Sequence, residues 1–152
     1  MIRGEDPDDP ARRGFWFTPG GGLDDGETIE SATRRELLEE TGLVVDELGP
    51  VVLEQRNRFP MFGEIWLQDE TVYLVDIAEA FEPQPAGLEA AEASVITGFR
   101  WLSIDELRQS PEAVYPTCLV ELLVEIDAYG PPAEPWFEDV EYRESGSVSD
   151  EE

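Results

Sequence analysis

The chain contains no histidine and no lysine, and it has a single cysteine and no long apolar run. Without histidine, every histidine-dependent triad, proton shuttle and zinc site is excluded. With Cys118 alone, an intramolecular disulfide is excluded too. The setting of that residue, "PTCLVELLVEI", reads as a buried helix face, where a free thiol behaves as a small hydrophobe. No segment approaches the roughly 20 apolar residues of a membrane span, and no signal peptide is visible, so a cytoplasmic protein is expected. Basic side chains are scarce: 36 aspartates and glutamates face 10 arginines, for a formal net charge of −26. Such a balance disfavours nonspecific binding to nucleic acid, which needs cations to neutralise phosphates. It favours attraction of metal cations.

What is present reads as one domain over residues 1–130 of the 152, followed by a proline-rich and then acidic tail, 131–152. "FWFT" (15–18) predicts a short strand ended by Pro19 and Gly20–Gly22. "GETIESATRRELLEETG" predicts a helix capped by Asp25 or Thr28 and stopped by Gly42. Residues 50–59 and 70–81 predict two strands of a hairpin around "PMFGE", and 82–94 a loop. A strand over 96–103, a short helix "IDELRQ" and a helix over 115–130 with Pro116 in its first turn follow. Trp136 and Phe137 are expected to dock on the domain, and the last dozen residues to be disordered. This order predicts an α/β fold, a mixed sheet covered by helices on both faces.

The segment "RRELLEETGL" (34–43) carries the chemistry. At about 100° per residue, Glu36, Glu39 and Glu40 share one surface of the helix, with Leu37 and Leu38 on the other side. Like charges at i, i+3 and i, i+4 repel by a few tenths of a kcal/mol per exposed pair. A divalent cation offsets that repulsion, and hard ions such as Mg²⁺ or Mn²⁺ take oxygen ligands together with substrate phosphates. The upstream "PGGG" lets the backbone turn sharply and approach a ligand beside the acidic helix.

The string from Gly21 through Glu27 to Arg35-Glu36-Leu37-x-Glu39-Glu40-x-Gly42-Leu43 resembles the complete signature of the Nudix hydrolases, at residues 21–43. "WFTPGG" looks like the strand that enters this box, and "FRWLSIDEL" like the strand and helix that follow it, so the likeness runs over about residues 12–130. "RFPMFGEIWLQDETVYLV" is similar to a bacterial, actinobacterial-like subgroup of unassigned substrate. The resemblance implies a Nudix α/β/α sandwich with a mixed sheet. It also implies a metal-dependent pyrophosphohydrolase that cleaves the diphosphate linkage of a nucleoside diphosphate derivative by attack of water. Glu36, Glu39 and Glu40, with the Gly20 carbonyl, would hold Mg²⁺ or Mn²⁺, and Arg35 and Glu27 would orient loop and helix. Glu39 is the first candidate for general base.

A further carboxylate from outside the box is expected at Glu70, Glu89 or Glu92. Arg56 and Arg58 either reach substrate phosphate or pair with some of the many acids. Phe59, Phe62, Trp66 and Tyr73 either stack on a base or pack in the core. One departure concerns the start: where the family has a hydrophobic strand before "RG" (3–4), this chain has only Met1 and Ile2. Either the start lies further upstream or an edge strand is lost, and an uncovered edge would invite a homodimer. The alternative function is a non-catalytic Nudix-fold module that senses a nucleotide derivative, which would be expected to lose box acids. A third reading, RNA-cap hydrolysis, is disfavoured by the acidic charge. The expected partner is thus a small nucleotide-type molecule, with no nucleic acid and no membrane.

Overall fold

In the computed structural model the described residues are 1–6, 14–61, 64–88 and 90–141, those of 59–61 and 91 by backbone alone. In chain order the elements are β1 (Ile2–Gly4), β2 (Phe15–Phe17), α1 (Ile29–Thr41), β3 (Val51–Met61), β4 (Glu64–Tyr73), α2 (Ala90–Val95), β5 (Ile96–Phe99), α3 (Ile104–Arg108), β6 (Ala113–Val114), α4 (Leu119–Tyr129) and β7 (Trp136–Glu141). This is the expected α/β class. The elements group into two compact units, one formed by residues 1–48 and 76–130, the other by 49–75 and 131–152.

The first unit holds a mixed sheet in the order β5-β1-β2-β6, with β1 antiparallel to both neighbours and β2 parallel to β6. The first strand is three residues long, and it is interior rather than an edge. Ile2 is fully buried, and the backbone of Met1 and Glu5 bonds Arg100 and Val95 at 2.9 Å. The Arg3 guanidinium fastens this strand further, donating to Glu112 at 2.6 and 3.0 Å and to Thr97 at 3.0 Å. An uncovered edge at the N-terminal strand, the ground for expecting a second copy there, is therefore not found.

Two elements of this unit differ from the sequence reading. The predicted 82–94 loop ends in α2, and the helix expected from residue 115 begins at Leu119. Val114 pairs with Trp16, and the Tyr115 amide donates to the Trp16 carbonyl at 2.8 Å, which keeps the chain extended up to Pro116. Cys118 sits at the cap of α4 and is half-buried rather than on its buried face, which Leu119 and Leu122 form. Ser103 caps α3 reciprocally with Glu106, the paired-donor arrangement that stabilises a short helix. Among the described residues no helix is long and apolar enough to cross a membrane.

The second unit is a three-stranded mixed sheet in the order β4-β3-β7. β3 and β4 form the expected hairpin, with Arg56 opposite Asp69 and Arg58 opposite Leu67. β4 covers 64–73 and not 70–81, and its register runs from Val51 opposite Tyr73 to Met61 opposite Glu64. The segment after Gly130 supplies β7, parallel to β3, with Trp136 beside Leu53 and Glu138 beside Gln55. Phe62, Glu89 and 142–152, the last expected to be disordered, lie outside the described residues.

Candidate active site

Local chemistry builds the helix that carries the acids. Thr28, not Asp25, is the N-cap: its hydroxyl accepts from the Ser31 amide at 3.2 Å. Gly42 ends α1 at φ 77°, and its N–H bonds the Leu38 carbonyl at 2.8 Å, a left-handed stop that suits glycine. Residues 84–87, which the sequence presented only as loop, satisfy the carbonyls of the last turn. The Gln84 amide donates to Thr41 at 2.9 Å, and the Ala86 and Gly87 amides donate to Glu39 at 2.8 and 3.2 Å. A Cβ on Gly87 would stand 3.1 Å from Glu39 Cγ, so this loop also confines the Glu39 side chain. Its only sequence signal was a proline- and glycine-bearing stretch one strand pair after the helix.

The helix buries carboxylates. Glu36 is 6% exposed and Glu40 2%, whereas the Glu39 side chain is partly exposed. Burial pushes the Glu40 carboxyl up to about 7, against the Gly20 amide that donates to its Oε2 at 2.8 Å; the charges of Glu36, Glu92 and Glu39 push the same way as burial. Glu36 is raised by burial too, opposed by Arg35 and reinforced by Glu92 and Glu39. Glu92, on α2, thus acts electrostatically on both buried box acids.

Arg35 joins loop to helix. Its Nε and Nη2 donate to the two oxygens of Glu27 at 3.2 and 2.9 Å, Nη2 also to the Gly22 carbonyl at 2.9 Å, and Nη1 to Glu36 at 2.7 Å and Glu39 at 3.2 Å. Glu27 accepts further from the Asp24 amide at 3.1 Å, and the Arg35 bonds hold its carboxyl below the usual range. The Gly20–Gly22 turn passes so close that a Cβ on Gly21 would collide with the Glu36 carboxylate. The structure therefore brings Gly20, Glu27, Arg35, Glu36, Glu39, Glu40 and Glu92 into one unit.

In this arrangement no three acidic side chains among the described residues converge on one point. Glu36 and Glu39 turn to Arg35, and Glu40 turns to the Gly20 amide. The donor set nonetheless fits a hard divalent ion: oxygen-only ligands, two of them buried at a cost that a cation would offset.

The remaining candidates belong to the second unit. Arg56 donates to both oxygens of Asp69, at 2.8 and 3.2 Å, and Arg58 to Asp139 at 2.9 Å, all four side chains being exposed. Glu70 is half-buried, and burial raises its carboxyl, with Asn57 opposing the shift. Trp66 is 45% exposed and Tyr73 half-buried.

The comparison with known proteins agrees with this loop and helix. Residues 2–120 match the model of the NUDIX domain. The chain is 36% identical over 100 residues to an oxidized purine nucleoside triphosphate hydrolase of Danio rerio, 63% of this chain and 56% of that protein. It is 29% identical over 110 residues to an RNA pyrophosphohydrolase of Novosphingobium aromaticivorans, 66% of each chain. It is also 31% identical over 123 residues to a MutT-like protein of Streptomyces ambofaciens, 80% of this chain and 67% of that one. The chain thus spans less than two thirds of the length of the first two. With most of its length matched and the acidic loop-and-helix built as described, the chain belongs to the Nudix family.

Proposed function

We propose that the protein is a metal-dependent pyrophosphohydrolase that cleaves the diphosphate linkage of a nucleoside diphosphate derivative by attack of water. The observation that carries this reading is the pair of buried carboxylates, Glu36 and Glu40, held on one helix face beside the Gly20–Gly22 turn. Burying two like charges side by side is costly, and it gains a purpose where a cation is to be bound. Glu36, Glu39 and Glu40, with the Gly20 carbonyl, hold Mg²⁺ or Mn²⁺ in this reading. The bound ion supplies charge neutralisation and a lowered water pKa.

The chain's own groups do the rest. Glu39, the most exposed of the three box acids, accepts the proton of the attacking water. Arg35 and Glu27 hold the turn on the helix, and Glu92 adds negative charge that strengthens cation binding. Arg56 and Arg58 meet substrate phosphate by exchanging their aspartate partners for it, and Glu70 contacts the substrate from β4. A net charge of −26 argues for a small nucleotide rather than a polynucleotide, despite relatives named as RNA pyrophosphohydrolases. The sensor reading finds no support in a box that keeps all its acids.

The test is a panel of nucleoside di- and triphosphates and diphosphate conjugates, incubated with and without Mg²⁺ or Mn²⁺ and resolved by chromatography. Metal-dependent release of a nucleoside monophosphate that disappears in Glu39→Gln/Glu40→Gln is expected. A folded parent that turns over nothing in the panel would count for the sensor.

A further inference from the structure

Glu39 is held from two sides, and only one of them belongs to the acidic helix. Arg35 Nη1 donates to its Oε2 at 3.2 Å. From the other side come residues 84–87, a segment of the same compact unit. The Ala86 and Gly87 amides both donate to the Glu39 carbonyl, at 2.8 and 3.2 Å, and the Gln84 amide donates to Thr41 at 2.9 Å. The approach is close at both ends of the segment. A Cβ on Gly42 would stand 2.7 Å from the Gln84 carbonyl oxygen. One on Gly87 would stand 3.1 Å from Glu39 Cγ, 3.5 Å from its Cβ and 3.7 Å from its Cδ.

Stability does not account for this arrangement. Residues 84–87 are exposed and Glu39 partly so, and without the segment water would satisfy the Glu39 carbonyl at little net loss. What the segment supplies is fixed geometry. Pro83 and Pro85 hold their own φ at about −65° and disfavour helical backbone at Glu82 and Gln84 before them. The amides of 84, 86 and 87 are thus presented by a stiff stretch of chain, and the Glu39 stem takes the space that a side chain at 87 would need.

We propose that residues 84–87 are a rigid saddle for the Glu39 side chain and that Gly87 is a positioning residue, acting through Glu39 on the bound divalent ion and the attacking water. The proposal rests on the metal-dependent reading above and adds to it a residue outside the acidic helix and its turn. A methyl at 87 pushes Glu39 by a few tenths of an ångström. Such a shift costs little in packing at a partly exposed site. It costs much where a carboxylate has to meet an ion and a water in fixed geometry.

Titration of Mn²⁺ followed by electron paramagnetic resonance, with no nucleotide present, reads the saddle apart from turnover. Gly87→Ala is expected to weaken Mn²⁺ binding about tenfold and to lower kcat at saturating Mn²⁺ by a similar factor, with KM unchanged. Its melting temperature should stay within a few degrees of the parent. In a Glu39→Gln background the same substitution should weaken Mn²⁺ binding no further, because the carboxylate it displaces is gone. Pro85→Gly adds no bulk and loosens the segment; it should weaken binding several-fold, and it reports even where Gly87→Ala fails to fold.

Parent-like Mn²⁺ affinity in both variants, a loss that persists undiminished in the Glu39→Gln background, or a rise in KM at constant kcat would overturn the assignment. A parent that binds Mn²⁺ tenfold more tightly than Gly87→Ala yet hydrolyses no nucleotide would leave the saddle standing and remove the hydrolase reading. Metal-dependent hydrolysis that Gly87→Ala leaves intact would do the reverse. A parent without affinity for Mn²⁺ would remove both.

Discussion

Gly20 donates its amide hydrogen to Glu40 Oε2 over 2.8 Å, and this bond joins an exposed turn to a carboxylate that is 2% exposed. It is the only hydrogen bond among the described residues assigned to the Glu40 side chain, and it does not offset burial, because the carboxyl still stands at about 7. The buried acid is thus poised between its protonated and ionised forms at neutral pH.

Stability of the metal-free protein should depend on that acid. Its folded pKa lies above the unfolded value of 4.5, so the folded state binds the extra proton and stability declines as pH rises from about 4.5 to about 7. The loss expected from Glu40 is on the order of 2–3 kcal/mol. Thermal melts at pH 5 and 7.5 should show the parent losing more than Glu40→Gln, whose neutral amide cannot titrate. Saturating Mg²⁺ at about 100 times its dissociation constant should restore about 2.7 kcal/mol at pH 7.5. Parallel pH profiles for the two proteins would refute this.

Arg35 and Glu27 should behave as one unit. Their two-point contact spans the Gly22–Glu27 loop and the helix, with Glu27 the less exposed partner. A double-mutant cycle with Arg35→Ala and Glu27→Ala should give losses in stability that are measurably non-additive. Additive losses would mean that the contact is only geometric. Arg35→Lys should recover little, because an ammonium cannot reproduce the fork.

Gly21→Ala should damage catalysis more than the fold. The new methyl would occupy the position of the Glu36 carboxylate, which has to turn away together with the turn itself. Metal affinity, read by titration of Mn²⁺, should fall about tenfold or more, the scale seen when groups that orient ligands are removed. The melting temperature should move by only a few degrees. An unchanged Mn²⁺ affinity would show that Glu36 does not ligate.

Arg56→Ala separates two roles for that residue. Its pair with Asp69 is exposed on both sides and should contribute little to stability. If the guanidinium meets substrate phosphate, KM rises several-fold while the melting temperature stays put. A melting shift with unchanged KM would assign it to the hairpin alone.

The hairpin and the C-terminal strand show where local reading stops. Residues 74–81, "LVDIAEAF", look more strand-like than 64–69, which are exposed throughout, yet the latter pair with β3. Pairing therefore does not follow apolar content. β7 was harder still, because proline and acid content marked its segment as a tail, and its order comes from a parallel partner some 80 positions away in the chain. Glu70 and Gln55 gave no sign of each other in sequence, since their pairing requires a register that only the folded sheet sets.

The sequence by itself determined the chemistry of the acidic helix: a start at Asp25 or Thr28, Gly42 as its end, and Glu36, Glu39 and Glu40 on one surface. Those features depend on groups within about four residues of one another, and helix geometry fixes their relation wherever the helix lies. Only the tertiary structure decided that Glu36 and Glu40 are buried, that residues 84–87 cap the helix against Glu39, and that Gln55 and Asn57 lie inside a sheet. Desolvation, and with it the raised carboxyl of Glu40, is set by atoms from distant parts of the chain. Local sequence carries no record of which atoms those will be.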